Sequence, residues 1–250
     1  MLMNINGGFY MEIVSISENS TLAKSKKMMF WGFLGYIILS LLVCCIPIIV
    51  VFTSISIIIA LAWLVCIVVV FVGLYDFSKI ANTFIFRYGI YVILLSIGYQ
   101  FFAPLMLGFL GIGDIMFSDT QPYVILGIVV LLGVAILILS MYLQYKMSIE
   151  MSFLTDIKAF ITSYKLYVIY VVGFVLLCVA FIFMFVDFLN SGAFLVSASL
   201  FVKFMEAYRF ASMILIGILL LLFCVGIVSL GFLILGLFRI KYTKVRERIK

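Results

Sequence analysis

The chain of 250 residues contains no histidine, and charged side chains make up only 10% of it. Without histidine it lacks the commonest metal ligand and the side chain that most often transfers protons near neutral pH. An ordinary soluble domain has about 25% charged residues, so this composition excludes one. The five cysteines lie in apolar runs without the spacing of a metal site. We therefore predict a membrane protein that holds no metal and no cofactor.

Long hydrophobic runs take the place of charge, since 68% of the residues are hydrophobic. The first run, Met28 to Tyr75, has 48 residues and none of them is charged. One membrane helix needs about 20 apolar residues, so this run fits two helices with a short turn near 52–54. It exceeds the core of about 7–15 residues in a signal peptide, so we expect it to be retained. Pro47 either bends the first helix or begins the turn, and both Met1 and Met11 are candidate starts.

Further apolar runs between charged connections predict an all-α fold, a polytopic integral membrane protein with a bundle of six transmembrane helices. We place these helices at about 28–51, 54–75, 88–110, 123–145, 166–186 and 211–238. They form a single membrane domain, 28–238, because no polar linker is long enough to separate two domains. An N-terminal tail, 1–27, precedes this domain, and we expect its first ten residues to be poorly ordered. A basic tail, 239–250, follows it.

Two connections carry apolar residues at helical spacing and predict amphipathic helices that lie on the membrane surface. In 146–165 these residues are Ile149, Phe153, Ile157, Phe160 and Ile161. In 187–209 they are Phe201, Phe204, Met205 and Tyr208. For the first helix, a docking segment for a partner protein is the alternative interpretation.

The distribution of basic residues predicts the orientation of the chain in the membrane. With six spans, all of the 16 Lys and Arg residues except Lys203 and Arg209 fall on one side. Basic residues collect in cytoplasmic loops, so we expect both termini to be cytoplasmic and the protein to reside in the cell membrane. This accounts for the net charge of +6 without a nucleic-acid partner. The basic C-terminal tail is also suited to contact anionic lipid head groups, at about 1 kcal/mol per charge.

No Asp, Glu, Lys or Arg lies within the six predicted spans. Charges inside a membrane usually mark ion paths or proton relays, so their absence disfavours a pump with a buried acidic site. Gln100, with Tyr99 beside it, is the best candidate for a specific polar contact inside the membrane. A buried amide needs hydrogen-bond partners and often joins helices, and a solute site is the alternative interpretation. We predict no catalytic, cofactor-binding or metal-binding residues.

Small residues mark helix faces that can pack closely, either within the monomer or in a dimer. They are Gly32, Gly35, Ser56, Ala60, Gly226, Gly231 and Gly236. A shift of 76 residues also places seven identical residues of 77–93 on 153–169, including Phe77 on Phe153 and Phe84 on Phe160. This suggests a duplicated helical hairpin, although biased composition would produce some of these identities.

Two patches, Gly73 to Gly98 and Phe153 to Phe174, share a charged turn that leads into a tyrosine-bearing helix. In these patches the chain resembles an uncharacterised family of prokaryotic, largely archaeal, multi-pass membrane proteins. The resemblance implies a membrane location, and it carries no functional residues.

Taken together, these patterns favour a non-enzymatic accessory or organising component that acts through helix–helix or protein–protein contacts. Its expected partners are membrane lipids and either a membrane protein or further copies of itself. The alternative is a permease or channel-like protein for a neutral or apolar solute, because the suspected repeat and the Tyr99–Gln100 pair would also suit a transporter.

Overall fold

The computed structural model describes residues 2–5, 9–45, 53–111, 121–190 and 208–245 of the chain. Within these ranges there are six helices and three strands. The helices are α1 (Ser20–Cys45), α2 (Thr53–Ala81), α3 (Ile85–Gly111), α4 (Gln121–Thr155), α5 (Ala159–Asn190) and α6 (Arg209–Arg239). The strands are β1 (Leu2–Ile5), β2 (Phe9–Ser15) and β3 (Tyr242–Val245).

Five of these helices, α2 to α6, are long and apolar enough to cross a membrane. Helix α1 does not meet that criterion over its described residues, and its first two turns contain Lys24, Lys26 and Lys27. It begins at Ser20 because Asn19 caps it: the Asn19 side-chain oxygen accepts a hydrogen bond from the Leu22 amide at 3.0 Å. Its predicted end and the turn at Pro47 lie outside the described residues.

The helices extend beyond the apolar runs that predicted them, and this overturns one predicted surface helix. Residues 146–155 continue α4 and residues 159–165 begin α5, so no separate interfacial helix exists at 146–165. Leu154 and Phe160 are 1% and 2% exposed, so they pack inside the protein and do not lie on the bilayer. The second predicted surface helix falls largely on residues 191–207, outside the described ranges.

Both tails contribute to a three-stranded antiparallel sheet with the order β1-β2-β3. Leu2 pairs with Glu12 in the first ladder, and Glu12 pairs with Val245 in the second. The expectation of a poorly ordered start is therefore wrong. The sheet joins strands from opposite ends of the chain, so the local pattern of the first ten residues could not reveal it.

The chain divides into two compact units, of which the first contains residues 1–161 and 234–250. Its closest helix pair is α1 with α2. A Cβ atom at Gly32 would lie 2.7 Å from Val70 Cγ2 and 3.0 Å from the Cys66 carbonyl oxygen. The Ser25 hydroxyl donates a hydrogen bond of 2.7 Å to the carbonyl of Gly73. The two backbones thus approach as closely as small residues permit, as the pattern at Gly32 predicted.

In the same unit α3 packs against both neighbouring helices. Phe86 makes edge-on ring contacts with Phe71 and Tyr75 of α2, at centroid distances of 6.2 and 5.1 Å. On α4, a Cβ atom at Gly133 would lie 2.5 Å from the Tyr99 hydroxyl oxygen. Glycine at 133 therefore makes room for the tyrosine ring.

The second unit, residues 162–233, contains most of α5 and α6. The hydroxyl groups of Ser163 and Ser229 each donate a hydrogen bond of 2.8 Å to the carbonyl of the other residue. Near the other end of the pair, the Tyr208 hydroxyl donates to the Asp187 carboxylate. These contacts define two antiparallel helices whose polar side chains satisfy each other.

The turns α2–α3 and α4–α5 have the same form, and they correct the offset of the suspected repeat. Each helix ends in one residue with positive φ, Asn82 at 52° and Asp156 at 55°, and these positions are 74 residues apart. The next helix begins three residues later in both turns. An offset of 76 would equate Phe84, which is 51% exposed, with Phe160, which is 2% exposed. An offset of 74 equates Phe86 with Phe160 and two buried serines, Ser78 and Ser152.

Candidate functional site

The two residues predicted as a polar site lie on different faces of α3. Tyr99 is half-buried, with its ring against Gly133 of α4, whereas Gln100 is exposed. Neighbouring residues on a helix point about 100° apart, so both cannot face the same helix contact. Tyr99 thus joins two helices, and Gln100 lies on the outer surface of the described structure.

The hydroxyl groups inside the spans bond within the chain. Ser40 donates to the carbonyl of Tyr36 at 2.8 Å and accepts a bond of 3.3 Å from the Trp63 indole. Ser96 donates to the carbonyl of Val92 at 2.9 Å. Together with the serine pair of α5 and α6, these bonds satisfy groups that would otherwise face lipid unpaired. They hold helices together and do not converge on a common point.

The largest concave feature that we describe is an open groove of about 410 Å³ between α2 and α3, within the first unit. Aliphatic and aromatic side chains line it: Ile67, Val68, Phe71, Val72, Tyr75, Phe86, Ile90, Ile93 and Leu94. We call this feature the α2–α3 groove. The sequence did not predict it, because both helices are apolar on all sides and no periodicity marks the face between them.

A polar cluster joins strand β3 to the α4–α5 turn. Lys244 Nζ lies 2.6 Å from one Asp156 carboxylate oxygen, and the Tyr242 hydroxyl donates to the other at 2.9 Å. Burial alone would raise the pKa of Asp156, but the hydrogen bonds from Lys244 and Tyr242 outweigh it and lower the pKa. The same hydrogen bond to Asp156 is the main cause that raises the pKa of Tyr242.

Lys26 forms a second contact of this kind between α1 and the end of α6. Its ammonium group donates to the carbonyl of Ile240 at 2.9 Å and lies 5.5 Å from the centre of the Phe238 ring. Burial, with a smaller contribution from Lys241, lowers the pKa of Lys26. Both polar contacts secure the C-terminal segment to helix ends, and neither resembles a catalytic arrangement of nucleophile and base.

Within the described ranges, no three or more Cys, Asp or Glu residues are grouped so that they could hold a metal ion. The described cysteines, Cys66, Cys178 and Cys224, are free thiols. The described part of the chain therefore offers contacts between helices, an apolar groove and a polar attachment of the tail.

Long apolar helices with satisfied polar groups define an α-helical integral membrane protein. Comparisons of the chain with protein-family models, with curated proteins and with solved structures give no match. The resemblance at Gly73 to Gly98 and Phe153 to Phe174 stays a prediction.

Proposed function

We propose that this chain is a non-enzymatic component of a cell membrane that acts by contacting other membrane proteins or further copies of itself. One observation carries the proposal: the described polar side chains of the spans bond within the chain, while large apolar side chains face outward. On α4, Leu131 is 71% exposed and Ile138 is 63% exposed, although Val129 on the same helix is 4% exposed. A helix that is apolar beyond the face it buries in its own chain is suited to lipid or to another helix.

We further propose that α1 is a sixth span and that both termini are cytoplasmic. The Lys26–Ile240 and Asp156–Lys244 contacts support this, because they bring the start of α1, the α4–α5 turn and the C-terminal segment to one end of the first unit. That end holds most of the described basic residues, which is typical of a cytoplasmic face. Reporter fusions at each terminus test the orientation, and a reporter active only outside the cell at either end would overturn it.

Site-specific photo-crosslinking in native membranes tests the proposed contacts. A photoreactive residue at Leu131 is expected to form adducts with another polypeptide, because this side chain is 71% exposed. Val129, two residues away and 4% exposed, is the matched control and should form adducts only within the chain. If Leu131 labels lipid alone, and purified protein in liposomes moves a defined solute, the proposal fails.

The alternative function, a permease for a neutral or apolar solute, has one favourable observation. The Tyr99 hydroxyl lies between α3 and α4, and Gln100 follows it on the outer surface. In a cysteine-free background, Gln100→Cys would react with a water-soluble thiol reagent if a water-filled path reached it. An unreactive thiol at 100, with no uptake in liposomes, would exclude this function.

A further inference from the structure

The α2–α3 groove has the dimensions of one lipid chain. It extends from Ile67 to Tyr75 on α2 and from Phe86 to Leu94 on α3. Eight residue steps at 1.5 Å give a length of about 12 Å on either helix. One leaflet of a bilayer has a hydrocarbon thickness of about 15 Å, so the groove covers most of one leaflet. Its walls are apolar, as an acyl chain requires.

Two cations stand at the end of this groove that adjoins the α2–α3 turn. Lys79 follows Tyr75 by four residues on α2, and Arg87 precedes Ile90 by three residues on α3. Helical residues at these spacings share a face, so both cations lie one turn beyond the groove lining. Both side chains are exposed.

Neither cation is neutralised by a described carboxylate. The ion pair recorded in the described residues joins Lys244 and Asp156, and Asp76, three residues before Lys79, forms none with it. Arg87 instead lies over the Phe84 ring, at 5.1 Å from its centre. The first turn of α3 adds backbone amide groups, which favour an anion at a helix N-terminus.

We propose that the α2–α3 groove binds an anionic glycerophospholipid, with one acyl chain in the groove and the phosphate between Lys79 and Arg87. The positive charge at an apolar groove selects this occupant over a second protein helix, which would leave both cations unpaired. The proposal needs α2 and α3 to span a membrane, and it is independent of whether the chain has a protein partner.

Lipid photo-labelling of the full-length protein tests the proposal. Wild-type protein is reconstituted in phosphatidylcholine vesicles that contain phosphatidylglycerol with a diazirine on its acyl chain, and labelled peptides are mapped. Labelling is expected to be enriched at Leu94 and Val72 relative to Leu131, which is more exposed but lies on α4. The same diazirine on phosphatidylcholine should give no such enrichment.

Two sets of variants separate the head group from the chain. Each basic residue near a membrane surface contributes about 1 kcal/mol, so Lys79→Gln or Arg87→Gln should lower groove labelling by phosphatidylglycerol about fivefold. The matched control, Lys165→Gln, removes an exposed charge of α5 and should leave groove labelling unchanged. Leu94→Trp, which fills the groove, should lower labelling at Val72 although both cations remain.

Equal labelling by both lipids would show acyl chains without head-group selection and would overturn the proposal, as would labelling of the groove no stronger than that of Leu131. Circular dichroism and elution volume of each variant verify that the fold is intact. A variant that fails to fold is replaced by the other single substitution at the pair Lys79 and Arg87.

Discussion

A methyl group at Gly73 tests how closely α1 and α2 approach. A Cβ atom at this position would lie 2.9 Å from three atoms: the amide nitrogen and Cγ of Met29 and the carbonyl oxygen of Ser25. Two of these are backbone atoms, so only a displacement of α1 can relieve the clash. That displacement would also stretch the bond of 2.7 Å from the Ser25 hydroxyl to the Gly73 carbonyl. Gly73→Ala should therefore destabilise the hairpin.

The magnitude follows from opposing contributions. Overpacking costs about 1–3 kcal/mol, and a weakened hydrogen bond costs up to about 1 kcal/mol more. Alanine has a higher helix propensity than glycine by about 1 kcal/mol, which offsets part of the loss. Gly98→Ala is the matched control, because its Cβ atom would meet no heavy atom within 4 Å. We expect the free energy of unfolding of the two variants to differ by about 2–4 kcal/mol, with Gly98→Ala the more stable.

The assay is unfolding by sodium dodecyl sulfate in mixed micelles, followed by circular dichroism and by tryptophan fluorescence. Trp63 stacks on Tyr36 at a centroid distance of 5.1 Å, so its fluorescence contributes a signal from the same hairpin. If both variants unfold at the same detergent fraction, or if Gly73→Ala is the more stable one, the close approach of α1 and α2 is wrong.

Three further predictions concern other contacts. Ser163→Ala and Ser229→Ala should each cost about 0.6 kcal/mol and be additive, because each hydroxyl bonds to a carbonyl of the other residue; a single change as costly as the double would contradict this in detergent unfolding. Gly133→Ala should lower the unfolding temperature, and Tyr99→Phe should restore part of it, because the tyrosine hydroxyl is the atom nearest to the added carbon; no recovery would refute the contact. The lowered pKa of Asp156 means that its stabilisation is present above the ordinary value of 3.8 and is lost as pH falls through the lowered value. Hydrogen exchange of strand β3 should thus be faster in Asp156→Asn than in wild type at pH 6, by an amount corresponding to about 0.2–1 kcal/mol, and the difference should shrink below pH 3.8; an unchanged difference would contradict the ion pair.

The hydrophobic runs predicted the helices well, since burial in a membrane depends on length and composition. Helix ends were less accurate because charged residues do not terminate a helix. Lys146 and Glu150, which suggested a separate connection, lie within α4. The actual end of α4 comes at Asp156, where φ is 55°. The apolar spacing near Phe160 did indicate a helix, but it could not distinguish a new surface helix from the beginning of α5.

Site prediction depended on side-chain direction, which the sequence gives only relative to neighbouring residues. Gln100 stood out because an amide is rare in an apolar run, yet it is exposed, whereas Tyr99 contacts Gly133. The α2–α3 groove left no sequence signal, because its lining does not differ in composition from the rest of the helices. Lys79 and Arg87 were visible as charges, but their position at the groove required the turn between the two helices.

By itself, the sequence determined that this is a helical membrane protein and where its apolar helices lie, because a bilayer imposes length and polarity on each segment independently. Only the tertiary structure decided that β3 pairs with β2, that Ser163 meets Ser229 and that α2 and α3 leave a groove between them. These features join residues that are distant in the chain. Their energies depend on which faces meet, and uniformly apolar helices do not encode that choice in any local pattern.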